Sequence, residues 1–264
     1  MGSVKVLGAY GGKFDHKHTS SFVVSESIVI DAGNLVVGLG DAARKVRHIF
    51  LTHSHFDHII DIPFLIDSLF AEIDESITVY GLPHTIRTLR THLLNDEIWP
   101  DFSRLNLPST GKPAIVYREI AIGTTYEIEG YAITPVAANH VVPACGYVVA
   151  HEGAAVMLSG DTYLHDGIAA AVNADRSIVS LILEVSFPSE MRAIAEESRH
   201  LTPELAAALL AGIRREGVTV YVYHMKPGYE KAIERELEGL LEQRMPFRML
   251  DDYDSVPYDP PATE

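Results

Sequence analysis

Short apolar runs punctuate the first part of the chain, at residues 4–7, 21–24, 28–30 and 48–51, each too brief for a stable helix. They predict strands, and Asp31-Ala32-Gly33 closes the third with a turn. Residues 83–94 predict a helix with Pro83 in its first turn. Further strands are expected at 114–117, 132–136, 146–150, 154–158 and 178–183, with a late one at 219–223. Thr202-Pro203-Glu204 opens a helix that carries Leu205, Leu209 and Ile213 at four-residue spacing. Residues 229–243 predict a charged amphipathic helix with Ile233, Leu237, Leu240 and Leu241 inward. Two blocks of strands, each followed by helices, predict an α/β fold of two packed sheets with helices outside.

At 264 residues, 47% of them hydrophobic, the chain can bury a full core. No repeat or Pro/Gly/Ser linker divides it, so one domain over residues 1–250 is expected, followed by a loose acidic tail at 251–264. The first ten residues show no targeting pattern and no run approaches the length of a membrane span. The single cysteine, Cys145, leaves no internal disulfide and suits a reducing cytoplasm, the expected location, with no membrane partner. A formal net charge of −15 argues against a long nucleic acid as partner. A small anion drawn into a positive well made by metal ions fits better.

The chemistry concentrates in Thr52-His53-Ser54-His55-Phe56-Asp57-His58, directly after an apolar run. Three histidines and an aspartate within six positions, at a turn ending a strand, point into one crevice and predict a metal site. Imidazole with carboxylate suits zinc first, with iron or manganese as alternatives. Other donors follow predicted strands in the same way: Asn139-His140, Ser159-Gly160-Asp161-Thr162, and His224. A lone histidine is weak testimony, but three recurrences beside the first cluster strengthen one another.

In this order of motifs the chain resembles the metallo-β-lactamase superfamily. The resemblance implies the αββα sandwich of two mixed sheets, with two divalent metal ions at one edge. It implies that His53, His55 and His140 hold one ion, that Asp57, His58 and His224 hold the second, and that Asp161 bridges them. Two such ions form a clamp for displacement at phosphorus or carbon and supply hydroxide near neutral pH, with Asp57 as ligand and hydrogen-bond acceptor. His55 stands where oxygen-reducing relatives carry glutamate, and Asp161 where many true β-lactamases carry cysteine, so hydrolysis of another substrate is expected.

The chain is also similar to ribonuclease Z and, most of all, to the class II 3′,5′-cyclic-nucleotide phosphodiesterases. In those enzymes a histidine before a helix protonates the leaving oxygen and a glutamate orients it; His200 and Glu184 fit these roles. The segment Asn95-Asp96-Glu97-Ile98-Trp99-Pro100 matches a phosphodiesterase pattern and makes Asn95 and Trp99 candidate substrate-binding residues, with His200. The long basic arm of ribonuclease Z has no counterpart between residues 59 and 140. The expected activity is therefore hydrolysis of a small anionic nucleotide, cyclic AMP first and cyclic GMP second, to its 5′-monophosphate, in a chain that can form a homodimer as such relatives often do. Alternatives are a general phosphodiester, ester or thioester hydrolase of this fold, or a non-catalytic nucleotide-binding module. His16 and His18 are left between the site and the surface, and Lys226 between a phosphate contact and a turn cap.

Overall fold

The structure, a computed structural model, describes residues 2–241 and 245–258. The chain opens with an antiparallel meander of β1 (Ser3–Gly8), β2 (Ser21–Val23) and β3 (Ile28–Ile30). It continues through α1 (Leu35–Leu39), β4 (His48–Phe50), α2 (Phe56–Ile59), α3 (Asp61–Leu69), β5 (Ile77–Gly81), α4 (Pro83–His92) and β6 (Ile115–Glu119). The second block holds β7 (Tyr126–Ile128), β8 (Tyr131–Ala138), β9 (Ala144–His151), β10 (Ala154–Leu158), α5 (Gly167–Ala174) and β11 (Ile178–Glu184). It closes with α6 (Arg192–Ser198), α7 (Pro203–Leu210), β12 (Thr219–Tyr223), α8 (Glu230–Leu241), β13 (Phe247–Met249) and β14 (Ser255–Pro257).

Two seven-stranded mixed sheets result, in the orders β14-β1-β2-β3-β4-β5-β6 and β13-β12-β11-β10-β9-β8-β7. In each, one side is antiparallel and the other parallel. Parallel neighbours need crossover connections, and these lay helices on the outer faces. Period-two alternation sorts the side chains: Ile28, Ile30 and Phe50 enter the core between the sheets, whereas Val29, Ile49 and Leu51 face outward. There they meet Leu35, Ile62, Leu65, Ile66 and Leu89 from α1, α3 and α4. Val172, Leu209 and Ile233 bring α5, α7 and α8 into the core around the second sheet.

One set of contacts between the sheets fixes the edge that matters. The Phe50 ring stacks on Tyr80 at 4.2 Å and meets the edge of Tyr147, from the other sheet, at 5.7 Å. Tyr147 Oη donates to the Leu51 carbonyl at 2.7 Å, and the Cys145 N–H donates to the Thr52 carbonyl at 3.0 Å. The end of β4 is thereby tied to β9 before the histidine-rich segment begins.

Several expectations need correction. Residues 52–58 are not one turn: the chain runs extended through His55, and Asp57 and His58 then sit on the short helix α2. Leu240 is 40% exposed, while Ile233, Leu237 and Leu241 are buried, because Leu240 lies at the edge of the apolar stripe. Helix α5 went unpredicted because its alanine-rich sequence has little polar contrast from face to face. The acidic end is not loose as far as Tyr258. Strand β14 pairs with β1, Val256 and Tyr258 are buried, and Asp252 Oδ1 accepts from the Ala9 N–H at 2.8 Å. Its carboxylates satisfy backbone donors that would otherwise lack partners. Residues 259–264 of that predicted tail, and residues 242–243 of the predicted last helix, lie outside the described residues. Among the described residues no helix is long and apolar enough to cross a membrane.

Candidate metal centre

Strands β4, β8, β10 and β12 each end in a candidate ligand or ligand segment, and the fold brings these ends together. The structure gathers His53, His55, His140 and Asp161 in one group, with a donor atom of each within 4.8 Å of the others. Asp57, His58 and His224 form a second group on the same criterion. Asp161 Oδ2 stands between them, 3.7 Å from His53 Nε2, 3.4 Å from His58 Nε2 and 3.2 Å from His224 Nε2. Asp57 Oδ2 lies 3.8 Å from His58 Nε2 and 3.5 Å from His224 Nε2, and His140 Nε2 lies 3.2 Å from His55 Nδ1.

These spacings suit a cation. Two ligands held at about 2.05 Å from a tetrahedral zinc stand roughly 3.3 Å apart. Nε2 of His53, His58 and His224 and Oδ1 of Asp161 are buried and have no hydrogen-bond partner. Leaving four converging polar atoms unsatisfied is costly, and a bound divalent ion removes that cost.

Each buried ligand is held from behind. The Asp31 carboxylate accepts from His58 Nδ1 at 2.7 Å and from the Thr52 N–H and Thr52 Oγ1, both at 2.8 Å. With its hydroxyl proton given to Asp31, Thr52 Oγ1 accepts from His53 Nδ1 at 3.0 Å. Ser186 Oγ, which donates to Glu184 Oε2, accepts from His224 Nδ1, both at 3.0 Å. The Arg199 carbonyl accepts from His140 Nδ1 at 3.1 Å. Protonation of Nδ1 in these four rings turns Nε2 toward the cluster, bare in His53, His140 and His224, the arrangement by which outer partners orient metal-binding histidines.

The electrostatics follow. Burial pushes the pKa of His53 well down and that of His55 to about 4, and it lowers His140 and His224, so these rings are neutral at pH 7, the form in which an imidazole can bind a metal. Burial also opposes a charge on His58, but Asp161, Asp31 and Asp57 together outweigh it and raise its pKa well above the usual value. Asp57 is held far below the usual carboxylate range, because His58 and His224 overcome the desolvation that acts against its charge.

His200 stands beside the cluster, its ring stacked on His224 at 5.2 Å and tilted toward His140 at 5.0 Å. It is only 6% exposed and donates from Nδ1 to Glu184 Oε1 at 2.9 Å, which leaves its other nitrogen unengaged by Glu184. Glu184 ends β11 and also accepts from the Thr162 N–H at 3.0 Å, which locks it in place. Burial lowers the pKa of His200, but Glu184 more than compensates and the net shift is upward.

The other candidates fall elsewhere. Asn95 uses its side chain within its own loop, accepting from the Glu97 and Ile98 N–H groups and donating to the Thr91 carbonyl. Trp99 packs edge-on against Phe64 of α3 at 5.3 Å. His18 donates from Nδ1 to Asp252 at 2.7 Å, and His16 is fully at the surface. Lys226 donates to the Gly11 carbonyl at 2.5 Å and so secures the loop before β2. That loop must carry glycine at position 11, since a Cβ there would lie 2.7 Å from the His224 ring. Asp31, Thr52 and Ser186 carry no metal signal in the sequence, since a turn former and two hydroxyl residues gain such a role only through their partners in the fold.

A family described as "Beta-lactamase superfamily domain" matches residues 27–225. A ribonuclease Z of Bacillus licheniformis is 29% identical over 126 residues, covering 47% of this chain and 38% of that protein. The 3′,5′-cyclic-nucleotide phosphodiesterase 1 of Saccharomyces cerevisiae is 42% identical over 74 residues, covering 28% of this chain and 20% of that protein. Both matches thus span well under half of the relatives' length. The crystal structure of unliganded yeast PDE1 superposes with a TM-score of 0.81 at 16% identity, covering 97% of this chain and 99% of that one.

Proposed function

Because the chain belongs to the β-lactamase superfamily and has the fold and ligand clusters of a metal-dependent hydrolase, we propose that it is a phosphodiesterase opening 3′,5′-cyclic nucleotides to 5′-monophosphates. The observation that carries this reading is the buried His200–Glu184 pair at the edge of the cluster. An alkoxide is a poor leaving group and gains from a positioned acid, whereas a thiolate needs little help; general acid catalysis contributes about 10²–10⁴-fold.

In this reading His53, His55 and His140 would hold one divalent ion, Asp57, His58 and His224 a second, and Asp161 would serve both, with zinc the first choice and iron or manganese the alternatives. Two such ions, when bound, lower the pKa of a water and neutralise charge on phosphoryl oxygens. Asp57 remains a carboxylate and accepts a hydrogen bond from the attacking water. His200, whose protonated form Glu184 favours, gives its proton to the departing 3′ oxygen and regains one from solvent. The net charge of −15 supports a small nucleotide over a long RNA. The cytoplasm, where buried Cys145 stays reduced, is the setting that suits it.

The test is incubation of the purified protein with cyclic AMP and cyclic GMP, with and without chelator, and chromatography of the products. Chelator-sensitive 5′-monophosphate is the expected result. Absence of product from either nucleotide by a protein with two ions bound overturns the substrate assignment.

A further inference from the structure

Arg199 occupies an unusual position. It ends α6 in the left-handed conformation, φ 58° and ψ 50°, where glycine is the residue that adopts this backbone freely. Its carbonyl holds His140, so its main chain is fixed at the rim of the centre. Its guanidinium lies over the Tyr163 ring, 5.6 Å from the centroid. Tyr163 follows Asp161 by two positions and donates its N–H to the Asn139 carbonyl at 2.7 Å, so its main chain too is anchored beside the ligands. Arg44, Arg47, Arg104 and Arg192 pair with carboxylates, whereas Arg90 and Arg118, like Arg199, lie over tyrosine rings without one. Among the described residues no carboxylate lies within ion-pair distance of the exposed Arg199 guanidinium, in a chain with 36 acidic residues.

We propose that Arg199, supported on Tyr163, is the base-recognising element of this site and selects guanine over adenine. This rests on the reading of the centre as one that takes a nucleotide phosphate. A guanidinium lying on an aromatic face turns its planar N–H fork away from that face, where it can donate two parallel hydrogen bonds. Guanine offers two acceptors side by side, O6 and N7, whereas adenine offers N7 beside an N–H₂ donor that opposes the fork. With the phosphate at the ligand cluster and the departing oxygen at His200, the base of a nucleotide can extend to the rim on the His140 side, where Arg199 and Tyr163 stand.

Binding of 5′-GMP, 5′-AMP and inorganic phosphate to the zinc-loaded full chain tests this by calorimetry. The wild type is expected to bind 5′-GMP about tenfold or more tighter than 5′-AMP. Arg199→Gly keeps the left-handed backbone and the carbonyl on His140; it should bring that ratio to about one, with phosphate affinity and zinc content held within about twofold. Arg199→Lys, which has charge but no fork, should fail to restore it. Tyr163→Ala should weaken 5′-GMP binding while Tyr163→Phe retains it. A wild-type ratio near one overturns the proposal. So does an equal loss of 5′-GMP and phosphate in Arg199→Gly, since Arg199 would then act only through His140. Selective 5′-GMP binding without turnover of cyclic GMP leaves the subsite standing and removes the phosphodiesterase reading. Turnover of cyclic GMP with a binding ratio near one does the reverse.

Discussion

Asp31 Oδ2 accepts from His58 Nδ1 at 2.7 Å, joining residues 27 positions apart and both wholly buried. The same carboxylate holds Thr52, and through it His53, so one side chain behind the cluster orients a histidine of each ligand group. Asp31→Asn places an amide where three donors need acceptors. Outer partners of this kind are worth about 10–100-fold in metal affinity. A loss of that size, with the second equivalent of metal most affected, is expected in competition titrations against a chromophoric chelator. Unchanged affinity for both equivalents contradicts the assignment.

Removal of the acid should separate substrates by leaving group. His200→Ala is expected to keep its metals and lose about 10²–10⁴-fold in turnover of a cyclic nucleotide. It should lose far less on a p-nitrophenyl phosphate diester, whose leaving group is already acidic. Equal losses on both substrates, measured with metal content checked, would rule out His200 as the acid.

The pH profile carries the same assignment independently. The folded pKa of His200 is raised, so its protonated form and the stability it contributes are fully present below the ordinary histidine value. Both are lost as pH rises through the folded value. Turnover of an alkoxide-leaving substrate should therefore fall along an alkaline limb set by His200. Glu184→Gln removes the charge that raises it and should move that limb to lower pH. A limb that stays in place shows that another group sets it.

Metal loading should release a proton. In the metal-free protein His58 is protonated at pH 7, held so by Asp161, Asp31 and Asp57, whereas His53, His55, His140 and His224 are already neutral. Filling the site must displace the proton of His58, so about one proton per chain is expected in weakly buffered solution at pH 7. Asp31→Asn weakens its hold and should reduce the release. Loading without proton release would show that His58 is neutral beforehand.

Much of this centre is readable from the chain because metal ligands are a local chemical signal. His53, His55, Asp57 and His58 sit within six positions, and His140, Asp161 and His224 each follow an apolar run that can only be a strand. Short apolar runs similarly mark β3, β4, β10 and β12, which are buried on both faces because helices cover the outer side of each sheet. Asn95 shows the opposite case: its motif marks a loop, but only the packed structure shows that its amide is occupied in shaping that loop.

What the sequence by itself determined is the donor set and the strands that carry it, since both depend on residue type and short-range periodicity. What only the tertiary structure decided is how those donors are held. Asp31 behind His58, Ser186 behind His224, the Arg199 carbonyl behind His140 and the C-terminal clamp on Ala9 all join segments far apart in the chain. A hydrogen bond or a ligand sphere depends on distances of a few ångströms, and those distances exist only once the two sheets have packed.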